Sequence, residues 1–152
     1  MERCAAVRLL RLALLLLPLA TLVTVHAAER QVVLVVGADS AVEDLGPLDI
    51  QKLFLALPVL RDGHPLHPVR NVSEASLENI FLQYVVAMSQ SAYDRRILTQ
   101  ALQQGRPRPL ELNSRNAIVE TLTADKYAVS YMWLKDVPPG RRLKVVRVLW
   151  TE

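Results

Sequence analysis

Val-Ser-Glu-Ala-Ser, residues 72–76, ends a proline-stiffened extended piece and opens an apolar-periodic run, so it reads as the start of a helix. The first backbone N–H groups of a helix lack partners within the helix, and together with the macrodipole they attract an oxyanion. With Ser73 as N-cap, the free donors are the amides of Glu74, Ala75 and Ser76, and Val72 and Leu77 occupy the positions of a hydrophobic staple. Glu74 works against a bound anion, because its carboxylate already satisfies the dipole and would repel a phosphate. The stretch is therefore readable both as an anion cradle and as a capped helix start.

Other chemistry-bearing residues are sparse. His64 and His67 are three apart in an extended segment, where such positions face opposite ways, and no third ligand lies nearby, so no metal is expected. Asn71-Val72-Ser73 matches the N-glycosylation pattern, which matters only in a eukaryotic source. No nucleophile elbow, phosphate loop or zincin spacing is present, and neither a catalytic residue nor a cofactor is expected. The basic pairs Arg95-Arg96, Arg106 with Arg108, and Arg141-Arg142 are scattered and not interleaved with aromatics, which argues against nucleic acid.

The elements that must position these residues follow from periodicity. QVVLVVG (31–37) is a continuous β-branched run, which implies a strand covered on both faces within a parallel sheet flanked by helices. Gly46-Pro47 opens a helix with Ile50, Leu53, Phe54 and Leu57 inward, ending at Pro58. Asp62-Gly63 turns one short extended piece into another. Leu77, Ile80, Phe81, Tyr84, Val85 and Met88 form the stripe of a second helix. Ser91 to Asp94 reads as a capping box for a third, with Tyr93, Ile97, Leu98, Ala101 and Leu102 buried and Gly105 as its stop.

RPRPLELN is an extended connection, and Asn113 or Ser114 caps a helix through about Asp125 with Ile118, Val119 and Leu122 inward. YAVSYMWL and RLKVVRVLW are two closing strands; Tyr127, Tyr131 and Trp133 share a face of the first and read as core.

Arg3, Arg8 and Arg11 precede a leucine-rich run, and Val25 and Ala27 supply the small or aliphatic side chains of a cleavage site, so residues 1–27 read as a signal peptide and Ala28 as the mature start. An uncleaved anchor is the rival, since Leu12 to Ala28 is an uncharged stretch at the short limit for a bilayer span. The single cysteine, Cys4, stands before the apolar run, so it is not the acylated residue of a lipoprotein. Residues 28–152 then hold no thiol and depend on their core, which a chain of this size supplies as one domain. Losing three arginines and Glu2 lowers the formal charge from +3 to about +1.

In this order the pieces resemble the periplasmic phosphate-binding proteins of ABC transporters. KLFLALPVLRDGHPLHPV (52–69) is similar to the family's segment in which a helix ending Ile-Phe-x-Gly leads through a Trp and an Asp/Gly turn to a strand near an Arg. Leu53 and Phe54 match the apolar pair, Ala56 stands for the glycine and Leu60 for the Trp. Phe81 falls at the aromatic after the family's Arg…Ser-Gly-Thr motif, and YAVSY (127–131) resembles its Ala-Ile-Gly-Tyr strand with Ser130 for glycine.

The resemblance implies an α/β fold: a single lobe of the type II periplasmic-binding kind, a mixed sheet flanked by helices over residues 28–152. It also implies non-catalytic binding of phosphate or another oxyanion, linked to an ABC transporter, in the periplasm, with no membrane insertion after signal cleavage. The implied ligand set is Arg70, Asn71, Ser73, Glu74, Ala75 and Ser76, through the amides of 74–76 and the side chains of Arg70, Asn71, Ser73 and Ser76. Counting back from Phe81, however, the family's Arg aligns with Asn71, one position past Arg70, and its Ser and Thr align with Ala75 and Leu77. The second expectation rests on these departures and on the missing lobe: an interaction module that keeps the lobe without the ligand and contacts a periplasmic sensor or membrane partner.

Overall fold

The computed structural model describes residues 30–140 and 142–152; the expected signal peptide, residues 1–27, lies outside them. Strand β1 (Gln31–Gly37) is the apolar run, and alternation divides it between two cores. Val32, Leu34 and Val36 face one cluster and Val33 and Val35 the other. The run predicts parallel neighbours, yet β1 pairs antiparallel with both β6 (Ala128–Trp133) and β7 (Leu143–Thr151). An unbroken apolar strand records burial on both faces, and burial does not fix pairing direction.

Helix α1 (Pro47–Phe54) starts on its proline and buries Ile50, Leu53 and Phe54. A two-residue ribbon follows, β2 (Leu60–Arg61) against β3 (His64–Pro65), turning at Gly63 with φ 78°. Then come β4 (His67–Asn71), α2 (Ala75–Ile80) continuing as a π turn over Phe81–Val85, α3 (Gln90–Gln104), β5 (Leu110–Leu112) and α4 (Arg115–Ala124). The last two strands are joined by a 3₁₀ turn at Leu134–Asp136.

Strand order in the main sheet is β5-β4-β6-β1-β7, with β4 parallel to β5 and β6, so the sheet is mixed and carries helices on both faces as expected. Leu77, Phe81, Tyr93 and Ile97 from α2 and α3 join α1 over Val129, Tyr131 and Trp133. On the other face Ile118, Val119 and Leu122 of α4 cover Val69, Ala128 and Met132. The segment RPRPLELN, expected only as a connection, contributes β5 as a short edge strand. The other edge, β7, is longer and is interrupted twice in its register with β1, so that Val145 and Val148 stand opposite Val35 and Val33. Its two cations are tied inward: Lys144 Nζ donates to Ser40 O at 2.5 Å and Arg147 Nη2 to Asp44 Oδ1 at 2.8 Å. Among the described residues no helix is long and apolar enough to cross a membrane.

Two helix readings need correction. The cap of α3 is Ser89, whose hydroxyl accepts from the Ala92 amide at 3.3 Å, so the helix begins two residues before the expected Ser91 box; Asp94 instead accepts from Gln90 Nε2. Its inward stripe is Tyr93, Ile97 and Gln100, while Leu98 and Leu102 are solvent-exposed, because only a narrow face of α3 meets the sheet. Ser89→Ala is expected to cost about 1 kcal/mol by urea denaturation and Ser91→Ala under about 0.5 kcal/mol, which discriminates the two caps. In the second helix the π turn adds a residue to the coil and swings Tyr84 off the core, leaving it 55% exposed beside Trp150.

Candidate functional site

The chain leaves β4 for helices on one face of the sheet and leaves β5 for α4 on the other. Where adjacent parallel strands send their connections to opposite faces, a crevice opens at their carboxyl ends, and ligands of α/β sheets bind in such crevices. By topology that crevice falls between Asn71-Val72-Ser73-Glu74 and Leu112-Asn113-Ser114; of the expected ligand set Ser73, Glu74, Ala75 and Ser76 stand at its exposed edge, while Arg70 and Asn71 are buried.

Its local geometry differs from the expected cap. The N-cap of α2 is Glu74 and not Ser73, which shifts the helix by one residue and takes Val72 and Leu77 out of staple register. Ser73 is held by the preceding strand: its amide and hydroxyl both reach Asn71 Oδ1, at 3.1 and 2.6 Å. Asn71 Nδ2 donates to Tyr131 O at 3.0 Å and Tyr131 Oη returns a bond to Asn71 O at 3.3 Å, clamping β4 to β6. The Asn71 side chain is thereby buried and committed, so the glycosylation pattern has no reachable amide. Ser73, Glu74, Ala75 and Ser76 are exposed. The Glu74 carboxylate accepts from Trp133 Nε1 at 3.0 Å.

Arg70 points to the α2/α3 face, since its neighbour Val69 belongs to the opposite core. It is 2% exposed, its guanidinium 4.7 Å from the Tyr93 ring centre and 5.2 Å from that of Phe81. Phe81 in turn stacks on Tyr131 and meets Phe54 edge-on. Two carboxylates close on the cation: Nη1 donates to Glu111 Oε1 at 2.5 Å and Nη2 to Glu78 Oε1 at 2.8 Å. Arg70 Nε has no acceptor among the described residues, which subtracts from the gain of the pairing. Burial pulls the guanidinium down and the two tyrosines and two carboxylates push it up, with a net upward shift. Burial raises the Tyr93 and Tyr131 phenols against the opposing pull of Arg70, so both stay neutral donors.

Chemically, Arg70 is outnumbered by Glu74, Glu78 and Glu111, and among the described residues the Ser73 hydroxyl is bonded to the Asn71 amide oxygen and not to a base. The arrangement can hold a surface or a weakly charged group; a free dianion meets repulsion. Sequence reasoning missed Glu78 and Glu111. Glu111 becomes the partner of Arg70 only through the β4–β5 register, which pairs those two residues and has no local sequence signal.

The histidines fall at the other end of the same strands. A break at Leu66 separates β3 from β4, so the rings do not face opposite ways: His64 stacks on Tyr127 at 4.8 Å and His67 meets the same ring edge-on at 6.4 Å. His67 Nδ1 donates to Asp125 Oδ2 at 2.6 Å, while Asp125 Oδ1 accepts from the Tyr127 amide. Partial burial works to raise the Asp125 carboxyl, but these hydrogen bonds outweigh it and hold the group below the usual carboxylate range. A carboxyl lowered by folding adds stability above its unfolded pKa of about 3.9 and loses it as pH falls through the folded value. Asp125→Asn is therefore expected to flatten the acid limb of a Tm–pH profile below about pH 4; equal slopes for both proteins would contradict this.

No protein-family model matches the sequence. No curated protein matches it either. Among solved structures, the chain is similar to an ABC-type phosphate transport receptor from Vibrio cholerae (TM-score 0.58, 10% identity, 78% of this chain and 46% of that one). It is similar also to a protein from Clostridium perfringens assigned as a phosphate ABC transporter substrate-binding protein and solved with phosphate bound (TM-score 0.59, 11% identity, 78% and 45%). A third, from Planctomyces limnophilus and assigned as phosphate-binding, has a TM-score of 0.56 at 15% identity over 78% and 41%. The chain thus spans less than half the length of the structures it matches, and its fold is that of a single lobe of a periplasmic-binding-type protein.

Proposed function

We propose that this chain is an exported, non-catalytic lobe of the phosphate-receptor type that works through a protein partner at the membrane, its anion site held shut by its own carboxylates. The observation that carries this reading is the pairing of buried Arg70 with both Glu78 and Glu111. An anion entering there would have to displace two tethered carboxylates from a cation whose two terminal nitrogens are already paired. The exposed shoulder at Ser73–Ser76 is the contact surface, and the partner is a transporter component or membrane sensor. Export rests on the arginine-flanked apolar segment and small-residue site of residues 1–27.

A second reading, weak phosphate or oxyanion binding in service of an ABC transporter, is favoured by the Clostridium perfringens neighbour with bound phosphate and by the exposure of residues 73–76. Calorimetric titration with phosphate and sulfate separates the two. No saturable heat is expected at millimolar anion, whereas Glu78→Gln/Glu111→Gln, which leaves Arg70 without a counter-ion, is expected to take up phosphate. Saturable phosphate heat in the unmodified protein would establish the second reading instead. For the partner, a photo-crosslinker at Ser76 is expected to give a discrete membrane-protein adduct in cells, and its failure would remove the interaction reading.

A further inference from the structure

We infer that the groove at the amino ends of β4 and β6 is a second binding site, for an apolar monoanion: one carboxylate carried on a hydrocarbon or aromatic body. This goes beyond the proposed function and does not depend on it, since the groove lies at the opposite end of β4 from the crevice at Ser73. The end of α1, the start of β4, the α3–β5 connection and the end of α4 enclose a hollow of about 440 Å³, within the range that small ligands fill. Its apolar lining includes Leu57, Leu66, Val69 and Ala128, with half-exposed Leu110 at the lip.

Proline stiffens the walls at positions 58, 65, 68 and 107, so little order remains to be imposed on binding. This end of the sheet therefore offers a preformed apolar surface.

Its charge decides the ligand. Two arginines line the hollow, Arg106 and Arg108, and neither forms an ion pair among the described residues. Arg106 is fixed against the wall by donating from Nη1 to Ala56 O at 3.3 Å, a carbonyl presented where Ala56 adopts φ 57°. Among the described residues the one carboxylate in the lining, Asp125, is engaged by His67 and by the Tyr127 amide and pairs with neither arginine. An apolar body in the hollow would thus bring its head group to unpaired guanidinium groups. A cation would meet repulsion there, and a small inorganic anion would leave the apolar walls wet.

Fluorescence of anilinonaphthalene sulfonate, an apolar anion, with decanoate and decyltrimethylammonium as competitors, tests this on the whole exported protein. Saturable one-to-one dye binding is expected, displaced by decanoate and not by the cation of equal chain length. Arg106→Glu/Arg108→Glu is expected to weaken decanoate about tenfold or more. Should that variant melt early, amide NMR shifts of the unmodified protein on decanoate addition decide alone, and they are expected to centre on Leu66, Val69, Thr121 and Ala128. Non-saturable dye binding, equal competition by the cation, or shifts clustered elsewhere, such as around Tyr84 and Val148, would overturn the assignment.

Discussion

Arg70→Ala is expected to lower the free energy of unfolding by about 3–5 kcal/mol, read from urea denaturation midpoints at constant slope. The guanidinium fills space between Tyr93 and Phe81, and alanine leaves a cavity beneath both rings. The carboxylates it leaves behind suffer less, because Glu111 is more than half exposed and Glu78 about one-third, so water reaches them. The loss is therefore mainly of packing and of a buried fork of hydrogen bonds. Arg70→Lys retains the charge without the planar fork or the ring stacking and is expected to lose about 2 kcal/mol. A change below about 1 kcal/mol for Arg70→Ala would mean that the cluster contributes nothing beyond an ordinary surface pair.

Gly37→Ala is the second large effect, expected at about 3 kcal/mol, or roughly 10 °C in Tm. Gly37 ends β1 where that strand crosses α4, and a Cβ there would run into the Leu122 carbonyl oxygen. The obstacle is helix backbone, so no rotamer change relieves it. Gly46→Ala is the matched control: nothing lies within 4 Å of its added Cβ, and a change within about 0.5 kcal/mol is expected. Equal melting temperatures for the two variants would show that α4 can shift away from β1.

The elements were legible where one local force decides them. The β1 run, the proline start of α1, the Gly63 turn and the Ile118, Val119, Leu122 stripe are where periodicity and turn chemistry place them. Reading failed where the deciding partner is far along the chain. The cap of α2 moved from Ser73 to Glu74 because Asn71, itself locked to Tyr131 on β6, captures the Ser73 amide and hydroxyl first. Leu102 suits a buried helix position by type, yet nothing in the sequence says how much of α3 the sheet will cover.

The candidate site shows the same division. Its location at the head of α2 follows from local residues, but its electrostatic character does not. Arg70 reads as a free cation until the β4–β5 register sets Glu111 against it and the first turn of α2 adds Glu78. Neither carboxylate has a motif to announce it. A candidate position can thus be read from sequence while the pairing of its cation with the protein's own carboxylates remains a property of the fold.

The interruptions in β7 bear on how such a chain survives crowding. A straight nine-residue border strand showing Val145 and Val148 would invite other copies to stack against it, first as pairs and then as fibres. Two extra residues break the run of unpaired amides into short pieces and twist it, so no incoming strand can match it along its length. The valines stay exposed at little hazard, and straightening β7 by deleting both inserted residues would turn a quiet border into a template for aggregation.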